Sequence, residues 1–158
     1  MKSGDILLFR GEKGISKIIA WGTGSLYSHS AICVSPEMNL AIESMAGWGV
    51  RARDIRQIKV KYDVFQVKEE YDFDLNKVIS FLIANLNRKY DWAGVFYLGL
   101  LKLFRFKKLA NKWQKNKDYF CFELTYLAFK AGGLKLVPKK AGVVSGKDLS
   151  ESEIVKKV

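Results

Sequence analysis

An α+β domain is what this sequence predicts, and three observations carry that prediction. The first half of the chain holds short apolar or alternating runs bounded by turn residues, the pattern of strands. Beyond Leu75 the apolar spacing changes to the helical period. The 158 residues contain no repeat, low-complexity tract or linker, so one domain spanning 1–158 is expected. Strands that precede helices in this way argue for the α+β class.

The elements follow in order. Asp5 to Arg10, DILLFR, reads as a buried strand. Ile15, Ile18, Ile19 and Trp21 have helical spacing, and Gly22 and Gly24 stop that short helix. HSAICV (29–34) and NLAIESM (39–45) flank the turn residues SPEM and predict a β-hairpin. VRARDIRQ reads as polar and irregular. In KVKYDVFQVK (59–68), Val60, Tyr62 and Val64 alternate with Lys59, Lys61 and Asp63, which predicts another strand. Leu75, Val78, Ile79, Leu82, Ile83 and Leu86 form the apolar stripe of a helix capped by Asp72 or Asp74. A second helix is expected in AGVFYLGLLKLFRFKK, running from an apolar stretch into a cationic one. A third, FCFELTYLAFKAGG, ends at Gly132-Gly133. The tail reads as a connection with a short final strand or turn.

Composition removes several classes of function. A hydrophobic fraction of 49% and an aromatic fraction of 13% argue against disorder. Two cysteines do not make a disulfide scaffold, and one histidine with two cysteines falls short of a dedicated zinc site, so no cofactor or metal is expected. No apolar run approaches the roughly 20 residues that span a bilayer. The opening MKSGDILLFRGEK lacks the form of a signal peptide, so the expected location is cytoplasmic. The net charge of +11 is unevenly placed. Seven cations lie between Lys102 and Lys117 with no acid among them, and Arg51, Arg53, Arg56, Lys59 and Lys61 make a second cluster around Asp54. No helix-turn-helix, zinc-finger or RNP-like motif accompanies the charge, which disfavours nucleic acid as the partner.

The residues with chemistry are few. The single histidine, His29, opens an apolar strand after the hydroxyl-rich loop GTGSLYS, a position where a scaffold presents reactive groups. Cys121 falls in the first turn of a predicted helix, where orphan amides and the helix dipole stabilise a thiolate and can donate to an oxyanion. Cys33 lies inside HSAICV and reads as core. A polar partner for the imidazole is then required, and Glu43 is the foremost candidate. In an even-sum antiparallel register, His29 and Glu43 share one face of the hairpin, opposite or one diagonal apart. Glu123 is the runner-up, although a helical spacing of two turns it away from Cys121. Each residue also has an ordinary structural reading: a packed histidine, a small buried thiol, an exposed glutamate.

GDILLFR, YSHSAI, AIESMAGWGV, RKYDW and FCFELTYLAF, in that order, give the chain a resemblance to circularly permuted NlpC-type papain-like cysteine hydrolases, the YiiX-like and lecithin:retinol-acyltransferase-like branch. His29 precedes Cys121, as in the permuted members. The resemblance spans most of the chain and is thinnest over Lys102–Lys117. It implies a small antiparallel sheet or half-barrel packed against helices, with the catalytic cysteine at a helix N-terminus. It implies Cys121 as nucleophile, His29 as base and then acid, and Glu43 as the imidazole's partner. Tyr27, Ser28 and Tyr119 are the candidates for substrate and oxyanion contacts.

The expected function is therefore a thiol hydrolase or acyltransferase that cleaves an amide or ester through a Cys-acyl intermediate. Cell-wall peptides and lipid-linked acyl groups are the two substrate classes. The basic segment Lys102–Lys117 beside an apolar stretch suits an anionic membrane surface, or else a solvated turn. The alternative function is a non-catalytic basic binding module on the same scaffold.

Overall fold

A computed structural model describes residues 1–12, 24–89 and 120–158. Six strands form one sheet: β1 (Ile6–Arg10), β2 (Tyr27–Ser35), β3 (Leu40–Met45), β4 (Gly49–Asp54), β5 (Tyr62–Val67) and β6 (Val155–Lys157). The sheet order is β4-β3-β2-β1-β5-β6, and every neighbouring pair is antiparallel. The described helices are α1 (Leu75–Ala84), α2 (Cys121–Ala131) and the short α3 (Gly146–Ser150). The architecture is α+β. The helices expected near residues 15–21 and after Ala93, and the whole basic segment, lie outside the described residues.

The alternation of apolar side chains explains how both faces of the sheet are covered. Ile6, Leu8, Ile32, Ile42 and Val50 point to one side, where Val78 and Leu82 of α1 and Leu124, Ala128 and Phe129 of α2 complete the main core. The intervening residues Leu7, Phe9, Ala31, Cys33 and Ala41 point to the other side and pack with Ile55 and Ile58. Those two isoleucines lie on the connection from β4 to β5, which must pass over β3, β2 and β1 to reach its place in the sheet. Among the described residues, this crossing segment covers the apolar part of the second face. Cys33, fully buried, belongs to this smaller cluster.

Helix boundaries follow local chemistry. Asp74, one of the two expected caps, accepts a hydrogen bond from the Lys77 amide at 3.1 Å and starts α1. Gly132 and Gly133 end α2, and Gly133 takes the left-handed φ of +92° that suits glycine after a helix. Ser145 and Asp148 cap α3 reciprocally, a signal in SGKD that the reading of the tail as a mere connection passed over.

Two expectations need correction. VRARDIRQ is not irregular: Gly49–Asp54 is β4, paired with β3 from Met45↔Gly49 to Leu40↔Asp54, and Ile55–Gln57 is one 3-10 turn. Val50 is buried and Ala52 faces with it, so the strand alternates, with arginines in the places where apolar residues were sought. In β5 the buried residues are Phe65 and Val67, whereas Val60 precedes the strand and is exposed. The sheet is sandwiched there on both sides, so alternation alone assigned the wrong phase.

Candidate functional site

The site is built on the hairpin β2–β3 and its neighbour β4. The register pairs Ala31 with Glu43, which sets His29 one diagonal step from Glu43 on the same face. Glu43 is fully buried, yet both of its oxygens are engaged. Oε2 lies 2.8 Å from His29 Nε2. Oε1 accepts from Arg51 Nε and Nη2 at 2.9 and 2.8 Å. Arg53 Nη1 adds hydrogen bonds of 3.2 and 3.3 Å to the two oxygens. Arg51 stands directly across from Glu43 in the β3–β4 register and Arg53 across from Ala41, so both guanidinium groups reach the carboxylate from the adjacent strand.

This arrangement decides the ionisation of the pair. Burial pushes the Glu43 carboxyl up, but hydrogen bonds and charge from His29, Arg51 and Arg53 overcome it and hold the pKa at about 2. Burial likewise opposes a charged imidazole at His29. Cys121 and Glu43 outweigh it, each through charge and a hydrogen bond, and raise the His29 pKa to about 9. With Nε2 turned to Glu43, Nδ1 is the ring nitrogen left for the Cys121 thiol. The ring also packs on Phe9, with centroids 5.0 Å apart, which limits its rotation. Its side chain keeps 16% of its surface exposed, enough for contact with solvent or substrate.

Cys121 is the first residue of α2, after Phe120 in extended conformation at the cap. No side chain caps this end, and the first amides of a helix have no intrahelical carbonyl to bond. The helix is pinned to the sheet one turn further on: Thr125 Oγ1 donates to the Cys121 carbonyl at 3.1 Å and shares a 2.9 Å hydrogen bond with Ser30 Oγ of β2. Ser30 follows His29 by one residue. The same tether therefore fixes the cysteine helix and the histidine strand to each other.

A second ionic cluster occupies the other side of β2. A register shift between Phe9 and Arg10 puts Arg10 opposite Tyr27, so Ser28 is the extra residue of a bulge immediately before His29. The bulge turns Tyr27 toward the main core, edge-on to Phe65. Its hydroxyl donates to Asp63 Oδ2 at 2.7 Å, and burial together with that hydrogen bond pushes its pKa up to about 12. Arg10 grips Asp63 with two 3.0 Å hydrogen bonds and Lys157 lies 2.9 Å away, so this carboxyl is held well below the usual range.

The structure thus brings His29, Glu43 and Cys121 together. It directs the Tyr27 hydroxyl to Asp63 on β5, on the opposite side of β2 from Glu43. Ser28 is buried at the bulge, and Tyr119 lies outside the described residues. Glu123 is buried and lines a separate cavity of about 630 Å³ with Tyr126, Lys130, Lys135, Lys139 and Lys140. Arg51 and Arg53 were visible in sequence only as surface charge. Their signal was parity: Glu43, Arg51 and Arg53 are all odd, and an even-sum β3–β4 hairpin puts them on one face.

No protein-family model matches the chain, and no curated protein does. Its fold is similar to that of YiiX from Escherichia coli O157:H7, with a TM-score of 0.71 and 16% identity over 99% of this chain and 96% of that one. The fold is YiiX-like. That crystal structure is described as one of a metalloprotein, DUF1105. In this chain no group of three or more His, Cys, Asp or Glu stands ready for a metal among the described residues. The Glu43 oxygens are already held by two arginines and the histidine, so this donor set does not fit a metal. Among the described residues no helix is long and apolar enough to cross a membrane.

Proposed function

We propose that the protein is a cysteine-dependent hydrolase or acyltransferase on a circularly permuted papain-like scaffold, acting on an amide or ester bond. The observation that carries this reading is the position of His29 between Cys121 and a buried, ionised Glu43. In the first step the Cys121 thiol passes its proton to His29 and the sulfur attacks the carbonyl carbon. A C–S bond forms and the carbonyl electron pair moves to oxygen, where the Cys121 amide and its neighbours in the first turn of α2 can donate. Collapse of that intermediate breaks the bond to the leaving amine or alcohol, which takes a proton from His29. Water or an amine then gives its proton to His29 as it attacks the thioester, and the sulfur is released. Glu43 orients the ring and stabilises its charged form, as the third member of a triad does. Peptide amides and lipid-linked acyl groups both suit this chemistry.

Intact-mass analysis tests the proposal. Folded wild-type protein should gain one carbamidomethyl group from iodoacetamide at Cys121, which is buried but keeps 4% of its surface exposed beside His29, while Cys121→Ala should gain none, because Cys33 is wholly enclosed in the second core. Incubation with peptide-amide, ester and phospholipid panels should leave an acyl mass on wild type alone. Equal labelling of the two proteins would falsify the assignment.

A further inference from the structure

We infer that Arg51 and Arg53 form an anion-recognition pair at the rim of the site, and that the acyl substrate carries a carboxylate or phosphate close to the scissile bond. This rests on the thiol reading above and extends it to the class of substrate. Two guanidinium groups converge on one carboxylate, and among the described residues neither forms an ion pair with a second one. The two guanidinium groups therefore carry one positive charge more than Glu43 neutralises. Arg51 spends Nε and Nη2 on Glu43 and Arg53 spends Nη1, which leaves Nη1 of Arg51 and Nε and Nη2 of Arg53 to reach further. Glu43 is wholly buried, whereas the two arginine side chains keep 29% and 21% of their surface exposed. The carboxylate holds two planar forks on partly exposed side chains with donors to spare, an arrangement suited to bidentate capture of carboxylate or phosphate.

Trp48 completes the rim. It is 73% exposed, and the Arg51 guanidinium lies 5.2 Å from its ring centroid. Stacking holds the cation in place and leaves the indole open to the apolar part of a substrate. Traced through the Glu43 carboxylate and the His29 ring, the path from guanidinium to thiol is on the order of 10 Å. A substrate anion one or two groups from the carbonyl spans that distance. The positive excess also focuses anions toward the sulfur.

Two thiol reagents of nearly the same size test this without a known substrate. Iodoacetate and iodoacetamide each lose iodide to the Cys121 sulfur as a C–S bond forms, and only the first is an anion. Their rate ratio cancels any change in nucleophilicity that a mutation causes through Glu43. In wild type the acid-to-amide ratio should exceed that in Arg53→Gln and Arg51→Gln by about 5- to 10-fold, and Arg53→Lys should retain most of it. Succinate or inorganic phosphate should slow the iodoacetamide reaction of wild type more than that of Arg53→Gln, and the stronger protector identifies the anion. Equal ratios in wild type and the glutamine variants, or protection by neither anion, overturn the inference. If folded wild type does not react at Cys121 with either reagent, the thiol reading itself falls.

Discussion

Two ion-paired carboxylates, Glu43 fully buried and Asp63 partly so, sit on either side of strand β2, and their surroundings differ in one respect that matters for chemistry. Asp63 is held by Arg10, Lys157 and a tyrosine whose pKa is pushed up to about 12. Arg10 and Tyr27 are both pushed further from neutral pH by this contact, so the cluster behaves as a clasp between β1, β2, β5 and β6. Glu43 is held by two arginines and by a histidine that also touches a thiol. There the same kind of ionic hardware ends in a group that can gain and lose a proton. The arginines keep Glu43 ionised, Glu43 supports the charged ring, and the ring faces Cys121. A strongly paired carboxylate is thus no sign of function by itself; the titratable partner makes the difference.

Exchanging the two acids for their amides is the most direct way to break this contrast. Glu43→Gln removes a charge that three cations face and should destabilise the fold by about 3–5 kcal/mol, as loss of one member of a buried ion pair does. It should also slow iodoacetamide labelling of Cys121 by at least about tenfold, the low end of what an acid or base partner contributes. Asp63→Asn should cost about 1–3 kcal/mol in urea titrations and leave the labelling rate within about twofold of wild type. A large drop in labelling for Asp63→Asn would merge the two clusters into one machine.

The pH dependence of stability separates them further. His29 is raised from 6.5 to about 9, so its contribution is fully present below pH 6.5 and is lost as pH rises through 9. Glu43 is lowered from 4.5 to about 2, so its contribution is present above pH 4.5 and is lost as pH falls through 2. Between pH 6.5 and 9 wild type should lose at most about 3 kcal/mol of stability. Cys121→Ala should show a shallower slope there, because the sulfur is the leading cause that raises the histidine. Identical slopes would detach His29 from Cys121.

A smaller effect should come from the turn that aims the arginines. Gly49 has φ of +75°, and a Cβ there would collide with the Arg88 carbonyl oxygen. The loop after α1 closes on β4 at this point, with Val50 donating to the Arg88 carbonyl and accepting from the Asn87 amide. Gly49→Ala should cost about 2 kcal/mol, from backbone strain and displacement of that loop. A neutral result in thermal unfolding would mean that the edge of β4 adapts freely.

Much of this was legible before any coordinates. An even-sum hairpin register was expected from the parity of His29 and Glu43 and the length of the SPEM turn, and of the two placements it allowed the structure takes the diagonal one. The start of α2 at Cys121 came from the apolar spacing of FCFELTYLAF. The role of β4 did not come through, because arginine at strand positions reads as surface when burial is judged residue by residue. Arg51 and Arg53 are only partly buried, and their long stems carry charge to an acid on the neighbouring strand. Nothing local in VRARD announces that acid. The Tyr27–Asp63 contact was hidden for a similar reason, since a one-residue bulge at Ser28 turns Tyr27 to the other face.

The sequence by itself determined the fold class, the β2–β3 hairpin, the two longer described helices and the short list of groups able to do chemistry. These depend on spacing and on the chemistry of near neighbours, which a linear pattern records. The tertiary structure alone decided which acid serves the histidine, how that acid stays ionised while fully buried, and which tyrosine is committed elsewhere. Those outcomes depend on strand order and on a crossing connection that brings distant charges within hydrogen-bond range. Electrostatics at such short range depends on distance and solvent exclusion, and both are properties of the folded chain.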